Sequence, residues 1–320
     1  MVRPNPFLTA ARRIGAGVAL CVLITSCQGR SPHALSPPSR LSPKPSEVVR
    51  SNTDRKRSTF LLGARGEFAS GACVAFLPLG KKRRGVVFID PGHGGPDPGA
   101  TATAADGVAL DEKTLTLAVA RDLLSELRHN GYEVVMSRVD DGPVGRVGSG
   151  SLSSGLYTPD GLRADLQARV DCANVSHARL LLSIHFDAFG DPAVGGTQTD
   201  YDPDRPFSHA SSHFAQLVQN SLVHSFAAHG WNVSDRGVVP DTDLAAPTLT
   251  ALGAAYGHLL ELGPRDRGLL DRASRMPGAL AEPLFLTDPT DAAIIESRAG
   301  QETVAGALAT AVDEYFHSGA

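Results

Sequence analysis

The chain has 320 residues, a formal net charge of −4, 42% hydrophobic residues and four cysteines. This composition excludes a wholly disordered chain and a disulfide-dense miniprotein, and no apolar run reaches the roughly 18 residues of a membrane span. The net charge averages unlike parts: +3 over residues 1–26, +9 over 27–84 and −16 over 85–320. So acidic a remainder argues against nucleic acid as a partner.

Residues 1–26 read as an export leader. Arg3, Arg12 and Arg13 come first, and an apolar stretch from Ile14 to Ile24 follows, of signal-peptide length. The run Leu23-Ile24-Thr25-Ser26-Cys27 resembles a bacterial lipobox. That resemblance implies cleavage before Cys27, lipidation of Cys27, and an exported chain anchored to the bacterial cell membrane facing the cell wall. An ordinary secretory signal or a short uncleaved anchor is the plainer reading.

Residues 27–84 read as a tether. Positions 28–58 are rich in Ser, Pro and basic residues and offer little to bury, so they are expected to be extended, with a charge suited to anionic headgroups. A small hairpin is expected near 59–80. With Cys21 removed and Cys27 lipidated, Cys73 and Cys172 remain in an oxidising compartment. They either pair or stay as two buried thiols, and the sequence leaves this open.

From residue 85 the elements alternate. Gly85 to Asp90 is a short apolar run stopped by Pro91-Gly92, the pattern of a buried strand. Leu115, Val119, Leu123 and Leu127 mark an amphipathic helix over 111–130, ended by Asn130-Gly131. Tyr132 to Ser137 is the next strand, which completes a βαβ unit. Residues 141–161 form a long Gly/Ser loop, of the kind that is usually functional or mobile. A helix over 162–175, a strand over 180–184 and a helix over 207–229 follow. A strand over 256–262 and a closing helix over 301–315 complete the series. The expected fold over 85–320 is a single α/β domain, with a mostly parallel or mixed sheet flanked by helices on both faces.

Ligands in such sheets bind beyond the carboxyl ends of the strands. His93 lies there, in the glycine-rich segment Asp90-Pro91-Gly92-His93-Gly94-Gly95. No Gly-Lys-Ser/Thr follows, so a phosphate-cradling loop is excluded. His185 ends another apolar strand, and Glu112 opens the helix between them. Two imidazoles and one carboxylate make a catalytic zinc set with an open coordination position. Taken singly, each is more ordinary: a strand-end His is commonly structural, and a first-turn Glu commonly offsets the helix dipole. His209 and His213 are four apart on a helix but lack the accompanying Glu, so they are not read as ligands.

The segments VVFIDPGHGGPDPGA, DEKTLTLAVARDLLSELRHNGYEVVMSR, LQARVDCANVSHARLLLSIHFDAF and GHLLELGP resemble, in order, the zinc-dependent N-acetylmuramoyl-L-alanine amidases of the amidase-3 type. They span most of residues 85–265. The resemblance implies one Zn2+ per chain on His93, Glu112 and His185, with Glu261 as catalytic acid/base. It implies hydrolysis of the bond between N-acetylmuramic acid and L-alanine, with peptidoglycan or muropeptides as partner. Arg236 matches the family's Arg-Gly segment, and Asp187 stands where Asn is common, so both are weaker substrate-binding candidates. His258 near Glu261 faces either core or site. Residues 239–255 match poorly, so the strand assigned to Glu261 is the least anchored element. Two rival readings are a non-catalytic wall-binding or regulatory lipoprotein on the same fold, and a zinc peptidase of other specificity.

Overall fold

The computed structural model describes residues 59–63, 66–79, 85–103, 107, 109–244 and 255–319. The leader, Cys27 and the tether over 28–58 lie outside the described residues.

The central sheet has eight strands in the order β1-β2-β6-β3-β9-β12-β10-β11. The parallel centre is β6 (Glu133–Arg138), β3 (Val86–Pro91), β9 (Leu180–Ile184) and β12 (Gly278–Glu282). On one side β2 (Ala72–Phe76) joins β6 antiparallel, and β1 (Thr59–Leu61) pairs with β2. The hairpin expected near 59–80 is therefore part of the main sheet, which begins well before residue 85. On the other side β10 (Thr197–Tyr201) runs antiparallel to β12 and parallel to β11 (Asp235–Pro240). Two short pairs lie apart, β4 (Thr101–Thr103) with β5 (Ala109–Asp111) and β7 (Leu152–Ser153) with β8 (Leu156–Tyr157).

One face packs against α1 (Glu112–His129), α3 (Ser208–Ala228) and the closing α5 (Arg298–His317). Leu115, Val119, Leu123 and Leu127 of α1 are buried there with Phe214, Val218 and Leu222 of α3 and Leu308 and Val312 of α5. The opposite face is covered by α2 (Pro159–Val175), whose Cys172 and Ala173 pack with Phe88, Val135, Leu181 and Leu280. Pro159 sits in the first turn of α2, and Thr158 caps it by accepting from Gly161 N–H at 3.2 Å. A short α4 (Pro289–Glu296) precedes α5.

Cys73 on β2 and Cys172 on α2 form a disulfide. The loop over 141–161 is anchored rather than free: Val144 and Gly145 N–H donate to Asp165, and Asp141 pairs with Lys113 at 2.8 Å.

One expected element differs. Residues 256–262 form no strand; Leu259 to Gly263 is a turn, with Leu262 and Gly263 N–H donating to Leu259 C=O. Gly257, at φ 76°, and Gly263 bracket an apolar run of few residues, and such runs do not distinguish strand from buried turn. Its leucines are buried against the α2 side instead. The place beside β9 belongs to β12.

Candidate active site

Three strand ends and one helix start meet at the carboxyl edge of the sheet. His93 follows β3 with φ 61°, a left-handed conformation that costs a side-chain-bearing residue about 1–2 kcal/mol. Arg169 on α2 holds that conformation. Its guanidinium donates to Pro91 C=O and His93 C=O while pairing with Asp90 at 2.9 Å and Asp165 at 3.0 Å.

Glu112 opens α1 but points inward and is buried. Its Oε2 accepts from Ala100 N–H at 2.7 Å and its Oε1 from Phe186 N–H at 2.9 Å, which fixes the carboxylate plane. The same oxygens lie 3.0 Å from His93 Nε2 and 3.1 Å from His185 Nδ1. The two imidazole nitrogens are 3.0 Å apart. Three donors thus converge on one point, as a bound cation requires.

Asp97 Oδ2 lies 2.8 Å from His93 Nδ1. A carboxylate there keeps the proton on Nδ1 and turns the Nε2 lone pair to the centre. Burial opposes charge on His93, but Glu112 and Asp97 override it and raise the imidazole to about 10. Burial likewise pushes Glu112 up, yet His93 and His185 hold it well below the usual carboxylate range. The cluster is built to hold positive charge.

Two glycines make the close approach possible. A Cβ at Gly99 would lie 2.5 Å from Glu112 Oε2 and 2.7 Å from His93 Cδ2. A Cβ at Gly92 would collide with the His185 ring. Gly92 does not take a positive φ, so the demand there is purely spatial. Gly92→Ala is expected to weaken metal binding about 10- to 100-fold, as misplacing a ligand does. Chelator competition measures this, and unchanged affinity would mean that His185 is not a ligand.

Glu261 lies in the turn, 5% exposed, on the side of Asp90 and His185. Burial and the neighbouring Asp90 raise it to about 7. Sequence reasoning missed a second carboxylate, Glu282, at the end of β12. His185 N–H donates to Ala281 C=O, so Glu282 stands beside His185 on the adjacent strand. Glu282 is partly exposed, and its Oε2 is buried without a hydrogen-bond partner. Burial, then Asp187, Glu112 and Asp200, push it well above its ordinary value. The signal available was an acid ending the segment Gly278-Ala279-Leu280-Ala281-Glu282.

Asp187, two residues past His185, is raised by burial. Arg236 on β11 sits over the Phe285 ring at 4.9 Å and draws Asp187 down. His258 faces Asp202 and Asp241, away from the three converging donors. His213 contacts Ser318 on the α3–α5 side.

These features define a class: hydrolases that act from a side-chain cluster at the strand ends of an α/β sheet. The N-acetylmuramoyl-L-alanine amidase profile of the amidase-3 type matches residues 87–314. The chain belongs to that family. It is 30% identical over 251 residues to the N-acetylmuramoyl-L-alanine amidase AmiC of Neisseria meningitidis, covering 74% of this chain and 54% of that protein. It therefore spans about half the length of that relative. It is 27% identical over 241 residues to the germination-specific N-acetylmuramoyl-L-alanine amidase of Bacillus subtilis, covering 75% of this chain and 82% of that one. The CwlD amidase of Clostridioides difficile, solved in complex with the GerS lipoprotein, shares the fold with a TM-score of 0.56 at 23% identity. That match covers 73% of this chain and 100% of the CwlD chain.

Proposed function

We propose that this protein hydrolyses the amide between N-acetylmuramic acid and L-alanine in peptidoglycan, with one zinc ion held by His93, Glu112 and His185. The observation that carries the reading is the convergence of those three donors beside an unpaired, partly exposed Glu282 in an amidase-family domain. Two imidazole nitrogens and a carboxylate suit zinc and leave a position for water and substrate.

A zinc ion in such a site polarises the carbonyl and brings a water's pKa toward about 7. The chain's own residues do the rest. Asp97 and the backbone donors of Ala100 and Phe186 hold the ligands in place. Glu282 takes the proton of the attacking water and returns it to the departing nitrogen. A carboxyl with a raised pKa retains the proton long enough to deliver it. We assign this role to Glu282 rather than Glu261, because a proton shuttle must reach the cleft and Glu261 is enclosed behind His185. Asp187 and Arg236, beside the site, orient the substrate. The lipid anchor at Cys27 would place this activity between membrane and wall.

The test uses the purified full chain with peptidoglycan fragments. Activity is expected to vanish on chelation and to return with Zn2+, releasing peptides with a new L-alanine amino terminus. Undiminished activity in zinc-free protein overturns the metal reading. Cuts between sugars would make the protein a glycosidase.

A further inference from the structure

A second donor cluster shares no residue with the first. It joins Asp202, just after β10, Asp241, just after β11, and His258, in the segment leading to the Glu261 turn. His258 Nδ1 lies 3.0 Å from Asp202 Oδ2 and 3.2 Å from Asp241 Oδ1. A single imidazole nitrogen carries at most one proton, and that proton can serve only one of two carboxylates. Asp202 is 2% exposed, and its Oδ2 is buried, aimed at the cluster and without a hydrogen-bond partner. Its other oxygen is already engaged, accepting from Asp204 N–H at 2.7 Å. Asp241 is likewise buried, with Oδ2 committed to Leu259 N–H at 2.9 Å. One oxygen from each acid and one nitrogen are therefore left facing each other.

The amidase centre shows a similar pattern: three donors from separate segments, about 3 Å apart, with Glu112 fixed from behind by a backbone N–H and His93 by a carboxylate. We propose that Asp202, Asp241 and His258 form a second divalent-cation site. One imidazole and two carboxylates suit Zn2+ or Mn2+ better than the all-oxygen cations. An ion there satisfies the orphaned oxygen and replaces the clash of two buried acids with shared attraction. Bound, the ion would fasten the ends of β10 and β11 to the segment that carries Glu261.

Metal per chain decides the matter. The full chain, and its His93→Ala and Asp202→Asn/His258→Gln variants, are stripped with chelator, reloaded with Zn2+ or Mn2+, desalted and measured by mass spectrometry. About two ions are expected in wild type and about one in each variant. Circular dichroism confirms that each variant is folded. His93→Ala keeps the proposal testable even where the double variant unfolds, because its remaining ion is expected to be lost when Asp202→Asn is added and kept when Glu261→Gln is added. No ion in His93→Ala overturns the proposal, as do two ions in Asp202→Asn/His258→Gln. One ion in both wild type and His93→Ala would instead leave the second site standing and count against the amidase centre as the zinc site.

Discussion

Glu282→Gln is expected to keep its zinc and lose about 10²- to 10⁴-fold in turnover, the usual contribution of a general acid/base. The amide side chain preserves the volume and one acceptor but cannot accept the water proton. Since Glu282 donates no ligand atom to the centre, metal content should not change. Glu261→Gln should behave differently. Its carboxyl lies behind His185 with Asp90, so the variant is expected to show a smaller loss in turnover and a weaker hold on the metal. Initial rates on peptidoglycan fragments, read beside metal per chain, separate the two. An active Glu282→Gln with an inactive, metal-loaded Glu261→Gln would return the acid/base role to Glu261.

Removing the Cys73–Cys172 crosslink is the second large effect. The bonded residues are 99 apart in sequence, so on the chain-entropy account the crosslink contributes roughly 4–5 kcal/mol by restricting the unfolded chain. Both cysteines are fully buried among apolar side chains, so replacement by alanine avoids stranding a hydroxyl. Cys73→Ala/Cys172→Ala is expected to unfold at a markedly lower denaturant concentration, and the wild type should match it under reducing conditions. Identical midpoints with and without reductant would show that the link contributes nothing.

His93, Glu112 and His185 were legible because each sits at a boundary with strong punctuation: a Pro-Gly stop, a helix start, the end of an apolar run. Glu282 was not. Its strand, Gly278-Ala279-Leu280-Ala281-Glu282, lies between Pro277 and Pro283 and has two alanines where β-branched residues would advertise a strand. What makes it a strand is tertiary. Leu181 crowds Gly278 so closely that a Cβ there would sit 3.0 Å away, and α3 packs against the strand. Leu259-Leu260-Glu261-Leu262 shows the reverse: leucines that look like a strand but fill the space over α2 as a turn. The helices over 112–129, 208–228 and 298–317 were readable because their buried faces recur at helical spacing over many turns. The pairing of β1 and β2 with the main sheet depends on contacts far apart in sequence, as does the partner of Cys73.

The reach of Arg169 has a consequence for timing. This one side chain, from α2, holds the carbonyls on either side of Gly92 in the segment that presents His93. Until α2 docks on the sheet, the His93 C=O lacks this donor, and the turn rests on Arg138, which holds the Pro91 and Gly92 carbonyls, and on Asp97. The turn that presents His93 therefore reaches its full set of hydrogen bonds only when α2 is in place.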